Sequence, residues 1–275
     1  MSTRFDYEFF YNLIENERIE EAFDYRAKFT PDYLYKFYPL IDNFSDSNNK
    51  RFYSLANNFI WFANPEMQND PYEFKGLYWK TKELLDVGVQ QQSIDNAYDL
   101  FFCKIALAAF TANMSNNLPM WAHYANNHHG YCVKYKVNNK RIFRNVIYDD
   151  NRYPVTNIFL NFLQHGLYLM SDSNSKLLTQ VKKDFAILQD KFFLKHTSWA
   201  YENEYRALYE LNESTMGLNV PISELELSVE EIYSGINCCE NNKLILSQIA
   251  DSLGVPYKEC SMSDTIYTVF EEKIV

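Results

Sequence analysis

Glycine is scarce, with seven residues in a chain of 275. Neither G-x-G-x-x-G nor G-x-x-x-x-G-K-[ST] occurs, which excludes a Rossmann dinucleotide loop and a P-loop. No apolar run approaches the about 18 residues that a transmembrane helix needs. The opening segment, MSTRFDYEFF, lacks the basic-then-apolar layout of a signal peptide. Both absences point to a cytoplasmic protein with no membrane partner. The five cysteines are an odd number at no framework spacing. Cys103 and Cys132 lie in apolar surroundings, Cys238 and Cys239 are adjacent, and all five, Cys260 included, read as reduced thiols. Basic charge is in deficit, with 26 Lys and Arg against 36 Asp and Glu and a net charge of −10. That balance argues against a broad electrostatic footprint on nucleic acid, though a local basic groove stays open.

Aromatic side chains are abundant, 22 Tyr and 21 Phe, enough for both a core and ring-lined pockets. Residues 6–28 read as one amphipathic helix, with Phe9, Phe10, Leu13, Ile14, Ala22 and Phe23 near helical spacing. Residues 33–40 alternate as a strand, with Leu34, Lys36 and Tyr38 on one face and Tyr33, Tyr35 and Phe37 on the other. A short helix is expected at 51–58 and a short strand at 59–63. Residues 64–73 form a loop in which Asn69-Asp70-Pro71 is a turn signal and Glu73 can close a cap. Helical material fills 77–113, with Ser93 as an N-cap candidate, and the apolar run 105–110 fits helix or strand equally. A polar loop at 111–119 leads to a helical turn at 120–124. Gly130 opens a clean strand at 131–137, Asn138-Asn139 turns it, and 142–148 is expected to return beside it. Residues 177–196 carry the strongest helix pattern. A strand at 220–227, helices at 228–233 and 242–252 and a strand at 265–270 complete the reading, while 150–175 give no pattern. The alternation of both periods indicates one α+β domain over 34–275, with residues 1–33 as a helical extension.

The densest chemistry lies in Lys195–Tyr209, KHTSWAYENEYRALY. Read as a strand, it puts Glu202, Glu204 and Arg206 on one face and Tyr201, Tyr205 and Tyr209 on the other. Neighbouring carboxylates would stand about 7 Å apart, raising each other's pKa against the pull of Arg206. The bland alternative is a solvated edge strand with an ion pair. His123, His128 and His129 cluster without an H-E-x-x-H or paired cysteines, so they do not make a zinc site. No hydrolase signature such as G-x-S-x-G is present. The carboxylates Asp70, Glu73, Glu202 and Glu204 could gather around Mg²⁺ for nuclease chemistry, with Lys36 or Lys195 near a phosphate. A glutamate could instead oppose the positive charge of a sugar transition state.

Several blocks taken together resemble a bacterial and phage-associated family, domain of unknown function 2971. They are Leu34-Tyr35-Lys36-Phe37, Trp61-Phe62-Ala63, Asn69-Asp70-Pro71 with Glu73, Phe110-Thr111, Met120-Trp121 with His123-Tyr124, Gly130–Tyr135, and Lys195, Trp199, Glu202, Glu204, Tyr205 and Arg206. The resemblance spans about Leu34–Ile236. The opening of that family in turn looks like the first motif of ADP-ribosyltransferase-like folds. This second resemblance implies a split antiparallel β-sheet core flanked by helices and NAD as the substrate. It places Tyr35, Lys36 and Phe37 at the basic motif, where Lys36 stands for the usual His or Arg. Tyr124 falls at the stacking position, with Trp121 and His123 also among the NAD-binding residues. Asn69, Asp70 and Glu73 form a second wall or a structural turn. Glu204 (or Glu202) falls at the catalytic glutamate with Arg206, Glu202 presenting the acceptor when Glu204 is catalytic. The implied activity is that of a toxin or defence effector transferring ADP-ribose to RNA, DNA or protein, with the 1–33 helix as a docking element for an antitoxin. A metal-dependent nuclease and a non-catalytic nucleotide-binding module are the alternatives.

Overall fold

The computed structural model describes residues 5–42, 45–64, 67–99, 104–114, 117–171, 175–211, 215–263 and 269–274. The N-terminal pattern forms two helices, α1 (Tyr7–Glu15) and α2 (Ile19–Ala27), where one was expected. Glu17 takes a left-handed backbone, φ 62°, which a continuous right-handed helix does not accommodate. Asp6 caps α1 by accepting from the Phe9 N–H at 3.0 Å. Phe10, Leu13, Ile14 and Ala22 close onto Ala186 of a later helix. The apolar face considered for partner docking is thus used within the chain, with Phe9 left outside.

The chain continues through β1 (Tyr33–Tyr38), α3 (Asp46–Ala56), β2 (Phe59–Ala63), β3 (Leu77–Tyr78), α4 (Thr81–Asp86) and α5 (Gln91–Tyr98). Ser93 lies inside α5 rather than capping it. Then come β4 (Ile105–Thr111), α6 (Leu118–Tyr124), β5 (Tyr131–Val137), β6 (Arg144–Asn145), β7 (Ile147–Tyr148) and β8 (Tyr153–Pro154). The segment without a sequence pattern is α7 (Thr156–Ser171), which packs on α8 (Ser175–Leu188). The helix expected to reach residue 196 stops at Leu188 and tightens into a 3₁₀ turn, Gln189–Phe193. The final elements are β9 (Leu194–Lys195), a 3₁₀ helix Thr197–Glu202, β10 (Glu204–Glu210), β11 (Gly217–Pro221), β12 (Leu227–Ser234), α9 (Glu240–Leu253), β13 (Tyr257–Met262) and β14 (Val269–Ile274).

These elements make one α+β domain around a mixed, mostly antiparallel sheet in the order β11-β2-β4-β1-β5-β12-β13-β14, with β10 on β4 and β6 on β10. The β12–β13 pair is parallel. Residues 142–148 do not return beside β5. They divide into β6 and β7, which pair with β10 and β9. Residues 228–233 are strand, not helix: a register shift between Val229 and Glu231 breaks the alternation that would have revealed it. Of the expected closing strand, 265–268 lie outside the described residues, as does Cys103. Cys132, Cys238 and Cys239 are free thiols, as expected. Among the described residues no helix is long and apolar enough to cross a membrane.

Strand β4 decides the shape of the sheet. Ala106, Ala108 and Phe110 face one core cluster, and Leu107 faces the other. A strand buried on both faces reads as a continuous apolar run, which is why its period was ambiguous. One edge of β4 pairs with β10 along its whole length, Glu204↔Thr111 to Glu210↔Ile105. The opposite edge meets β1 only at Tyr35↔Thr111 and β2 only at Ala63↔Leu107. Between those points β1 and β2 diverge, and the sheet is split.

The far end of β1 is fixed by a close approach at Gly130. A Cβ there would stand 2.0 Å from the Tyr38 carbonyl oxygen and 3.0 Å from Pro39 Cα. Gly130→Ala must therefore push the end of β1 outward, and the expected loss of stability is about 1–3 kcal/mol, read from the urea midpoint. An unchanged midpoint would mean that the β1–β5 junction is looser than its geometry indicates.

Candidate functional site

A cavity of about 1080 Å³ opens at the split of the sheet, walled by β1, β2, β4, α3, α6 and the 67–73 loop. Its side walls carry rings, among them Tyr35, Phe37, Trp61, Tyr124 and Trp199. Lys36 reaches across the split and donates to the Ala109 carbonyl at 2.9 Å. Burial pulls its ammonium down to about 8, and Glu204 opposes that shift.

The floor is a cluster of buried charges. Lys195 Nζ donates to Glu202 Oε2 at 2.6 Å and to Glu204 Oε2 at 3.2 Å, with Glu73 Oε2 at 3.9 Å. Arg206 donates from Nε to Glu204 Oε1 at 2.6 Å, from Nη2 to Glu204 Oε2 at 3.1 Å and from Nη1 to Glu73 Oε1 at 2.7 Å. Its Nη1 also meets the Phe192 carbonyl at 2.5 Å. Two cations thus face three carboxylates, and the imbalance falls on Glu202. Burial pushes the Glu202 carboxyl up, ionised Glu204 adds to the rise, Lys195 recovers only part, and the group titrates at about 7. Burial also acts to raise Glu204, but Arg206 and Lys195 outweigh it and hold Glu204 at about 2. Glu73 is raised by burial against the pull of the same two cations. The Tyr124 hydroxyl donates to the other oxygen of Glu202.

Local chain geometry explains why these groups meet. The stretch around Trp199 is not one strand: β9 delivers Lys195, the 3₁₀ helix delivers Glu202, and Asn203 reverses the chain in a left-handed conformation, φ 42°. Asn tolerates that region better than most residues. Glu204 and Arg206 then share a face of β10, as their spacing of two requires. Glu73 arrives from the opposite side. Asp70 Oδ1 accepts from the Tyr72 N–H at 2.8 Å to form the expected turn. Phe74 follows at φ 57°, strained for a bulky residue, and is buried against Phe192.

Most expected site residues are brought together. Tyr35, Lys36, Phe37, Asn69, Asp70 and Glu73 line the cavity, and so do Tyr124, Glu202 and Glu204. Arg206 lies behind the floor, fully buried. Two residues are displaced from the expectation. Trp121 is buried in the core, edge-on to Phe37 and stacked with His128, so it does not face the cavity. His123 is exposed outside it, its Nδ1 2.9 Å from the Tyr201 hydroxyl. Both lie on the short helix α6, where only one face can turn inward, and Tyr124 occupies that face. Lys195 is more central than the sequence suggested, since a lysine seven and nine residues before two glutamates has no periodic signature. Glu73, Glu202 and Glu204 converge, with Lys195 and Arg206 occupying the space between them, while Asp70 lines the same cavity without joining the cluster. Among the described residues no group of three His, Cys, Asp or Glu side chains is suited to hold a metal.

Two measurements probe the floor. Glu202 titrates near 4.5 in the unfolded chain and near 7 when folded. Between those values the folded protein holds a proton that the unfolded chain has lost, so this group's contribution falls as pH rises and levels off above about 7. Glu202→Gln should therefore gain stability over the native protein between pH 5 and pH 8, by roughly 2–3 kcal/mol at most, in urea unfolding. An equal offset at both pH values would contradict the raised pKa. Arg206→Met should cost about 3–5 kcal/mol, because it leaves Glu204 and Glu73 buried with one cation between them.

No match was found among curated proteins or among solved structures. A family match was found over a shorter span than the motifs suggested. It contains α6, β5 and the Trp199–Arg206 block but not Lys36 or the Asn69–Glu73 turn. Residues 120–207 match the family described as "Protein of unknown function (DUF2971)", the family that the motifs of the sequence resemble.

Proposed function

We propose that this protein cleaves the bond between nicotinamide and ribose in NAD and transfers ADP-ribose to a macromolecule. One observation carries the reading: Glu202, poised near neutrality and held by Tyr124 and Lys195, lies on the floor of a ring-walled cavity beside a second carboxylate that stays ionised. Breaking the C–N bond sends its electron pair to the nicotinamide nitrogen, which is cationic in NAD and leaves neutral. The positive charge passes to the ribose carbon and ring oxygen. Carboxylates fixed at the floor oppose that charge where it develops. The acceptor then bonds to the ribose carbon, and its proton passes to ionised Glu202, whose pKa suits a general base near pH 7. Glu204 commits both oxygens to Arg206 and Lys195, so in this reading it supplies a permanent charge and Glu202 handles the proton. Tyr35 and Trp199 offer ring faces for nicotinamide, and Lys36 offers a cation for the diphosphate.

The test is incubation of the purified protein with labelled NAD and total cell extract, following nicotinamide release and label in macromolecular fractions. Glu202→Gln should slow both by about 10²–10⁴-fold while the protein remains folded. NAD left unconsumed, with and without extract, would overturn the reading.

A further inference from the structure

The cavity has two halves of opposite character. The inner half holds the carboxylates. Every residue that α3, β2 and β11 bring to the outer half is uncharged or basic, in a chain whose net charge is −10. Lys50 and Arg51 stand there beside large side chains left open to solvent: Tyr53 is 61% exposed, Trp61 47% and Met67 53%. Trp61 is a prepared surface. Its indole lies against the backbone of β11 at Gly217, where a Cβ would come within 2.5 Å of Cζ2. The ring is thereby packed against β11 and held in place. Ser54 bonds Asn219 at 3.3 Å, and Asn219 is the cross-strand partner of Trp61, so α3 and its Tyr53 are tied to the same rim.

Exposed rings interleaved with cations, and free of carboxylates, are the chemistry that grips unpaired bases and the phosphates between them. The volume fits as well. A site for one small molecule occupies about 300–1,000 Å³, and this cavity, at about 1080 Å³, stands just above the top of that range. We infer that the outer half binds single-stranded nucleic acid and that this strand is the acceptor. The acceptor role rests on the transferase reading; the binding does not. A base stacked on Trp61 or Tyr53 would present a ring nitrogen or a hydroxyl oxygen to the ribose carbon. That nucleophile bonds to the carbon as nicotinamide departs with the old bond's electron pair, and its proton passes to Glu202. A paired base could not enter, because its ring faces are already stacked.

The experiment uses the whole chain without NAD. Labelled single-stranded DNA and RNA, and a duplex of the same sequence, are titrated by fluorescence anisotropy at about 50 and 200 mM salt. Single strands should bind, the duplex should bind at least about tenfold more weakly, and affinity should fall with salt. Trp61→Ala and Tyr53→Ala should each weaken binding by about ten- to a hundredfold, with Trp61→Phe recovering most of the loss. Lys50→Glu should weaken binding and flatten its salt dependence. A preference between DNA and RNA would identify the acceptor. No binding of either strand at low salt, or binding indifferent to Trp61→Ala and Lys50→Glu, would overturn the inference. In the labelled-NAD incubation described above, ADP-ribose label entering only protein would overturn the acceptor role. Strand binding without NAD turnover would remove the transferase reading and the acceptor role but leave the binding site standing. NAD turnover without strand binding would remove the binding site and the acceptor role but leave the transferase reading standing.

Discussion

Two buried cations among three buried carboxylates are the contact on which the rest of this structure depends. Lys195 and Arg206 do not make the domain stable in any simple sense, since burying charges costs solvation that their attraction only partly returns. What they enforce is coincidence in space. The 67–73 loop, β9, the 3₁₀ helix and β10 must each end where its charged group can be paired. The strained turn at Phe74 and the left-handed Asn203 are local costs of that requirement. Such a cluster of buried charges on the floor of a large cavity is a candidate functional site.

The cavity exists because β4 is asymmetric. Its β10 edge is fully paired, so the strand carrying Glu204 and Arg206 is rigidly placed. Its other edge is shared by two strands that each pair with it at one point, so β1 and β2 stand apart across a gap that Lys36 spans. The paired edge aligns the charges and the open edge leaves the cavity beside them. The same few residues of β4 serve both purposes.

Much of this was legible in the sequence, for reasons that can be named. Strands β1, β2 and β5 were clear because each alternates or is bounded by Gly, Pro or Asn. Glu204 and Arg206 were correctly placed on one face because a spacing of two in a strand admits no other result. Glu202 was placed with them for a reason that does not apply, since it reaches the cluster through a 3₁₀ helix and a left-handed turn rather than along a strand. Trp121 and His123 were misplaced because a single turn of helix gives no periodicity from which to tell inner from outer faces. The bulge in β12 erased its alternation, and β6 and β7 are too short to carry a pattern. The pairing of Glu73 with Arg206 joins residues 133 positions apart, and no local rule reaches that far.

The open edge of β4 also bears on strand-to-strand association. A strand edge with unpaired backbone is an invitation to another strand, whether at the rim of a sheet or within a split. Here the Ala109 carbonyl is already taken by Lys36, and the lysine places a charge in the path that an incoming strand would follow. Charged side chains, lysine above all, are a common means of keeping exposed strand edges from zipping together. Lys36 therefore acts as a gatekeeper as well as a wall of the cavity, which lets a deep gap persist in the sheet without becoming a seed for aggregation.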